Sequence, residues 1–339
     1  MRSHVSLFLA LAFAGCIGIV VPRGERRLSD AAIDAGLQRF EVDTQTVGGI
    51  SDMALLRDGN QAAFWLVPER QRGILSVSYD DVAVSVAGPV AQPAGSTQIW
   101  PTVPVVTSLK GVPQGLDTEA LAFLAPDRWL LGTESSGPRR THDAILLVEP
   151  RGAQAEVVGQ IDVPWDLWGL RANSNEGIEG LCSAGNFVLF AGETAGKLPG
   201  GGRFAPIGLK HLEQPAWTPL KLRLTSNTGK ISALTCRLHE ASPATPSLLE
   251  VVAIERHFRV SRVLRFFVPT EAPPALIDAS DSFDLTNWLD PLPNYEGIAW
   301  LSDDALLLIS DNSMAVRSGP TEALVVPTQN LAPVLPTAP

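Results

Sequence analysis

The stretch Glu119-Ala-Leu-Ala-Phe-Leu-Ala-Pro-Asp-Arg-Trp-Leu-Leu-Gly-Thr-Glu134 reads as two short apolar strands about a Pro126-Asp127 turn, with an acid at each end. Folding such a segment about its midpoint brings its end residues opposite one another, a few ångströms apart. Four further segments repeat the pattern: Ser51 to Glu69, Glu176 to Glu193, Ser232 to Glu255 and Glu296 to Asp311. Their midpoints fall at Asn60, Ala184/Gly185, Pro243/Ala244 and Asp303/Asp304, all turn material. The openings recur about every 55 to 70 residues, the signature of a repeat array.

Within the units, short apolar strands alternate with turns: Ala120 to Leu124 and Trp129 to Thr133, Ile178 to Cys182 and Phe187 to Ala191, Ile298 to Leu301 and Leu306 to Ile309. Others follow, including Ala144 to Val148, Glu156 to Ile161 and Ser261 to Val268. Only Ser29 to Phe40 looks briefly helical. With 29 Gly and 27 Pro, the chain has the turn supply of an all-β protein. Four short strands per unit, repeated radially, give a β-propeller of five or six blades. Two stacked sandwiches give no reason for one hairpin to recur. The expected organisation is 1–16 signal, 17–46 N-terminal segment, 47–326 propeller and 327–339 a loosely packed, Pro-rich tail.

The 339 residues can bury a large core, and 18% charged residues argue against disorder. A net charge of −10 repels a phosphate backbone, so no nucleic-acid partner is expected. Arg2, the apolar run Val5 to Phe13 and Ala14-Gly15-Cys16 describe a secretory signal, and Phe-Ala-Gly-Cys resembles a lipobox with Cys16 lipidated. A plain signal peptide, or an uncleaved anchor through Val21, fits the same run. The expectation is an exported protein, periplasmic or membrane-anchored through lipid alone, and monomeric. In an oxidising compartment Cys182 and Cys236 are either a disulfide between adjacent units or two buried thiols.

Aligning the units by their turns puts Glu119, Glu176 and Glu296 in register with Ser51 and Ser232. Glu69, Glu134, Glu193, Glu255 and Asp311 form a second register. Gathered at one channel mouth, these acids raise one another's pKa unless a cation intervenes, and their hard oxygens suit Ca²⁺. The expected ligands are Glu119, Glu134, Glu176, Glu193, Glu296 and Asp311, with Glu176 or Glu296 as general base. The alternative role of each acid is structural, bonding backbone amides of the next blade. Basic residues follow the closing acids: Arg70 and Arg72, Arg139 and Arg140, Lys197, then Arg256, His257 and Arg259. Beside metal-bound carboxylates they suit a small anionic substrate, phosphate above all. Local pairing of each with the preceding Glu is the plainer alternative.

Other chemistry has little support. His4, His142, His211, His239 and His257 lack close metal-ligand spacing, there is no Gly-x-Ser-x-Gly elbow, and the Gly196 to Gly202 run is no P-loop. Trp165, Trp168 and Trp217 read as core.

Glu119-Ala-Leu-Ala-Phe with Thr133-Glu134, Asn175-Glu-Gly-Ile-Glu-Gly-Leu, Ile254-Glu255-Arg256, and Asn294-Tyr-Glu-Gly-Ile-Ala with Ser310-Asp311-Asn312 resemble the phytase-like family of exported bacterial proteins. The resemblance covers about Val47 to Val326 and implies a β-propeller, an extracytoplasmic location and hydrolysis of phosphate or other esters. It also implies kinship to calcium-dependent propeller phytases. A non-catalytic envelope propeller that binds a ligand or protein is the alternative.

Overall fold

The computed structural model describes residues 28, 30–42, 49–68, 73–80, 82, 98–100, 105–137, 139–241, 246–257, 259–289, 292–311 and 321–334. Among them, five antiparallel units of four strands are present. The first comprises Ile50–Asp58, Gln61–Pro68, Gly73–Ser78 and Val105–Lys110, and the second Leu116–Ala125, Arg128–Ser135, His142–Arg151 and Gln154–Pro164. The third comprises Ile178–Ala184, Phe187–Gly192, Arg203–His211 and Thr218–Arg223; the fourth Lys230–His239, Leu248–His257, Val260–Pro269 and Asp281–Asp284. The fifth takes Asn294–Ser302, Ala305–Asp311 and Thr321–Pro327, and borrows Gln38–Val42 from the N-terminal side. The first and second units also join at their outer edges, where Gln154 to Glu156 pair in parallel with Ser108 to Lys110.

The first strands of the five units contact one another in a closed cycle, each touching the next and the fifth touching the first. This is a β-propeller. Five hydrophobic clusters fill the wedges between neighbouring units. Sheets covered on both faces explain why strands such as Leu249 to Ile254 read as unbroken apolar runs, apart from Glu250. Trp165 and Trp217 pack edge-on against Phe190, as core residues do.

The inner strands approach so closely that one equivalent position in the first half of each strand favours a small residue. A Cβ on Gly180 would lie 2.9 Å from the Leu234 nitrogen, and one on Gly297 would lie 2.8 Å from that of Met53. Ala120 and Ala233 fill the equivalent places. Asp52 is the exception, and its fully buried carboxylate reaches across to accept from the Leu121 amide at 2.8 Å. Cys182 and Cys236 form a disulfide between the first strands of the third and fourth units, with Cα atoms 5.8 Å apart.

Both ends of the described chain differ from the sequence expectation. Only Asp30–Asp34 is helical; Gln38–Val42 is a strand, its residues pairing Gln38 with Val325 through Val42 with Thr321. Five residues cannot sustain a helix alone, whereas an open sheet edge offers them ladder hydrogen bonds. Arg39 anchors the seam on the wholly buried Glu322. From Pro327 to Val334 the chain is packed rather than loose: Leu331 is buried, and Ala332–Pro333 pairs with Asp281 and Ser282. No helix among the described residues is long and apolar enough to cross a membrane. Cys16 and the rest of the leader lie outside the described residues, as does the Pro243/Ala244 turn.

Candidate active site

Each of the five inner strands carries a β-bulge at the same place near its start. The pairing register shifts between Ile50 and Asp52, Thr118 and Ala120, Ile178 and Gly180, Ile231 and Ala233, and Tyr295 and Gly297. The residues in the bulges are therefore Ser51, Glu119, Glu179, Ser232 and Glu296. A bulge adds one residue and re-aims a side chain, so it sets what each strand delivers to the mouth.

This corrects the turn-based alignment twice. The third unit's equivalent of Glu119 is Glu179 rather than Glu176. In the fourth unit Glu255 pairs with Ile231, and Arg256 pairs with Lys230. The second register is thus Glu134, Glu193, Arg256 and Asp311, with Glu69 outside the described residues. Glu255 is fully buried and accepts from the amides and hydroxyls of Thr225 and Ser226, at 2.5 to 3.0 Å. It holds a turn.

The remaining acids converge. Burial raises Glu119 well above the ordinary carboxylate range, and Glu134, Glu296 and Asp117 add repulsion. Glu134 is pushed up to about 7, by burial and then by the charges of Glu193 and Asp117. Glu179 is raised by burial and by Glu193, Glu119, Glu134 and Glu296 around it. Glu193 is also raised, burial outweighing the pull of Lys230 and Arg256. One electrostatic group therefore spans the second, third and fifth units.

Two cations lie on its other side. Arg256 ion-pairs with Glu296; burial alone would weaken its charge, but Glu296, Glu179, Glu193 and Asp311 keep it firmly protonated. Lys230 sits 2.9 Å from Glu176 and 3.6 Å from Glu193. Asn294 donates to Glu296 at 2.8 Å and to Asp311 at 3.3 Å. An open pocket of about 240 Å³ is lined by Glu193, Lys230, Arg256, His257 and Asn294, with an apolar side of Val260, Leu292 and Pro293.

Asp117, Glu119 and Glu134 each place a carboxylate oxygen within 4.8 Å of the others. Among the described residues no ion pair joins this trio. Arg140 acts on Glu134 from a distance, but three hard oxygen donors without an ion-pair partner fit a divalent cation, Ca²⁺ before softer metals.

The other candidates stand elsewhere. Burial would raise Glu176, but hydrogen bonds from Lys230, Asn173 and Thr194 hold it below the ordinary range, at the rim. Arg140 spends its guanidinium on Asp143 and on the carbonyls of Ser135, Gly137, Asn173 and Glu176, stapling two loops. Arg139 is exposed in a turn at φ 51°; Lys197 and Arg259 are also exposed. Arg70 and Arg72 lie outside the described residues. Asp117, Glu179, Lys230 and Asn294 were missed, although a short motif marks the bulge: Ile178-Glu-Gly-Leu matches Tyr295-Glu-Gly-Ile and Ile231-Ser-Ala-Leu.

No protein-family model and no curated protein matches this chain. Among solved structures, the chain is similar to a PQQ-bound aldose sugar dehydrogenase from Streptomyces coelicolor: 10% identity over 86% of this chain and 98% of that one, TM-score 0.41. It is also similar to the catalytic domain of a GH62 α-L-arabinofuranosidase from Coprinopsis cinerea, at 11% identity over 88% and 99%, TM-score 0.42. A third is the Nup133 β-propeller domain of Vanderwaltozyma polyspora, at 11% identity over 83% of each chain, TM-score 0.31. The propeller assignment rests on the strand pairing of the chain itself.

Proposed function

We propose that this propeller is an exported, metal-assisted hydrolase of phosphate or other esters, acting at the acidic mouth of its channel. The observation that carries the reading is a carboxylate trio without an ion-pair partner among the described residues, coupled through the charges of Glu193 and Glu296 to two held cations that line a pocket. The motif resemblance to the phytase-like family supports the same reading. Asp117, Glu119 and Glu134 would hold Ca²⁺. Bound there, the ion would supply Lewis-acid polarisation of an ester oxygen.

The chain's own residues do the rest. Arg256 and Lys230 bind and orient the anionic group, each held in place by an acid behind it. Glu193 lines the pocket between the two sides, and its raised pKa suits it to take a proton from attacking water and return it to the leaving group. Glu176 and Glu296 then serve as positioning residues for Lys230 and Arg256.

The test is to assay purified protein on p-nitrophenyl phosphate and p-nitrophenyl acetate, with Ca²⁺ and with a chelator. Hydrolysis that chelation abolishes is expected. If neither ester is cleaved in Ca²⁺, the hydrolase reading fails and the site is a ligand-binding one.

A further inference from the structure

We infer that the ligand of this pocket carries a single anionic group on a compact apolar or aromatic alcohol, and that multiply phosphorylated compounds are excluded. The inference rests on the hydrolase reading for its chemistry, but its first support is the charge and shape of the pocket walls. Among the described residues only two that line the pocket, Lys230 and Arg256, carry a fixed positive charge, and they stand directly opposite one another in the same hairpin. Cross-strand neighbours have Cβ atoms about 5 Å apart, so the two long cationic side chains can reach one phosphate together.

Apart from His257 and the amide of Asn294, which also line the pocket, the polar groups described around that pair are acidic. Glu193 lines the pocket itself, Glu296 and Glu176 sit behind the two cations, and Glu179 and Asp311 act on Arg256. A second or third phosphate on the same ligand would face carboxylates, and like charges in contact cost several kcal/mol against a wrong ligand. The opposite wall is Val260, Leu292 and Pro293. It offers no hydrogen-bonding side chain to a polyol, but buries a hydrocarbon face well. The volume of about 240 Å³ suits one ring with one anionic group.

The test is isothermal titration and competition at equal ionic strength, using phenyl phosphate, inorganic phosphate and inositol hexakisphosphate on the full chain. The titrations are repeated with Ca²⁺ and in chelator. Phenyl phosphate should bind at least about tenfold more tightly than inorganic phosphate, the scale of one good apolar contact. Leu292→Ser should narrow that gap, read as the ratio of the two dissociation constants in variant and parent. Hydrolysis rates on the same esters are measured in parallel. Tighter binding or faster cleavage of inositol hexakisphosphate overturns the inference while the hydrolase reading survives. Selective binding of phenyl phosphate without cleavage upholds the pocket's selectivity and sinks the hydrolase reading. Binding of none of the three overturns both.

Discussion

The second and fourth units present opposite charges from the same place in the same hairpin. In the second, Asp117 pairs across the strands with Glu134; in the fourth, Lys230 pairs with Arg256. Like charges placed directly opposite destabilise a strand pair, so both arrangements work against the sheet. The difference lies in how each is compensated. The basic pair is answered within the protein, Lys230 by Glu176 and Glu193, Arg256 by Glu296. The acidic pair, joined by Glu119, has no ion-pair partner among the described residues. One unit has its charges answered by ion pairs, and the other has three carboxylates that no ion pair answers among the described residues.

The largest effect should come from removing the fourth unit's contribution. Arg256→Ala is expected to lower kcat/KM on p-nitrophenyl phosphate about 100-fold or more, as loss of a charge-stabilising donor does. It also removes the ion pair of Glu296, at about 3 kcal/mol of stability, and Glu296→Gln in the same chain should restore much of that stability without restoring activity. Activity rescued along with stability would place Arg256 outside the chemistry.

The second unit is tested by its response to metal. Ca²⁺ at about 100 times its dissociation constant should stabilise the parent by about 2.7 kcal/mol. Glu134→Gln and Asp117→Asn should lose most of that gain, read as the calcium-induced rise in melting temperature. Equal responses in parent and variants would remove the trio as the site.

Glu179, between the two sides, has no ion pair among the described residues, and burial raises its pKa in the fold. The unfolded chain therefore gives up this proton first, and stability is lost as pH rises above the normal carboxylate range near 4.5. Glu179→Gln cannot ionise. In chelator it should match the parent near pH 4 and exceed it by on the order of 2 kcal/mol at pH 8, followed by urea unfolding. A gap that stays flat with pH would show that Glu179 is not forced to ionise in the fold.

Smallest is the effect of Lys230→Met on stability, about 0.5 kcal/mol, because its pairs are partly solvated. Its calcium response should equal the parent's. A lost response would mean that the two units are not separate.

The hairpins were legible because turn residues punctuate them: Pro126-Asp127 and Asp303-Asp304 stand where the chain reverses. The channel mouth was legible in part, since Glu119, Glu134, Glu193, Glu296, Asp311 and Arg256 do meet. What the turns could not supply was register. A bulge leaves no mark in composition, and counting back from the turn moved the third unit's first acid by three residues and the fourth unit's second by one. Those shifts hid Glu179 and disguised the charge inversion, because Glu255 stands beside Arg256 in the chain yet points to a different environment. Gln38–Val42 was hidden for another reason. Its partner, Thr321–Val325, is a long-range edge that local pattern cannot reveal.

That seam has a mechanical consequence. Arg39 and Glu322 are separated by 283 positions along the chain, yet they clasp the two ends of the circle. The circle closes through this exchanged strand together with the core that the first and fifth units share. During synthesis the circle stays open until the last hairpin has emerged, whatever the order in which the units form. Afterwards, a pull on the N-terminal side loads the five residues of the exchanged strand before it loads any other sheet.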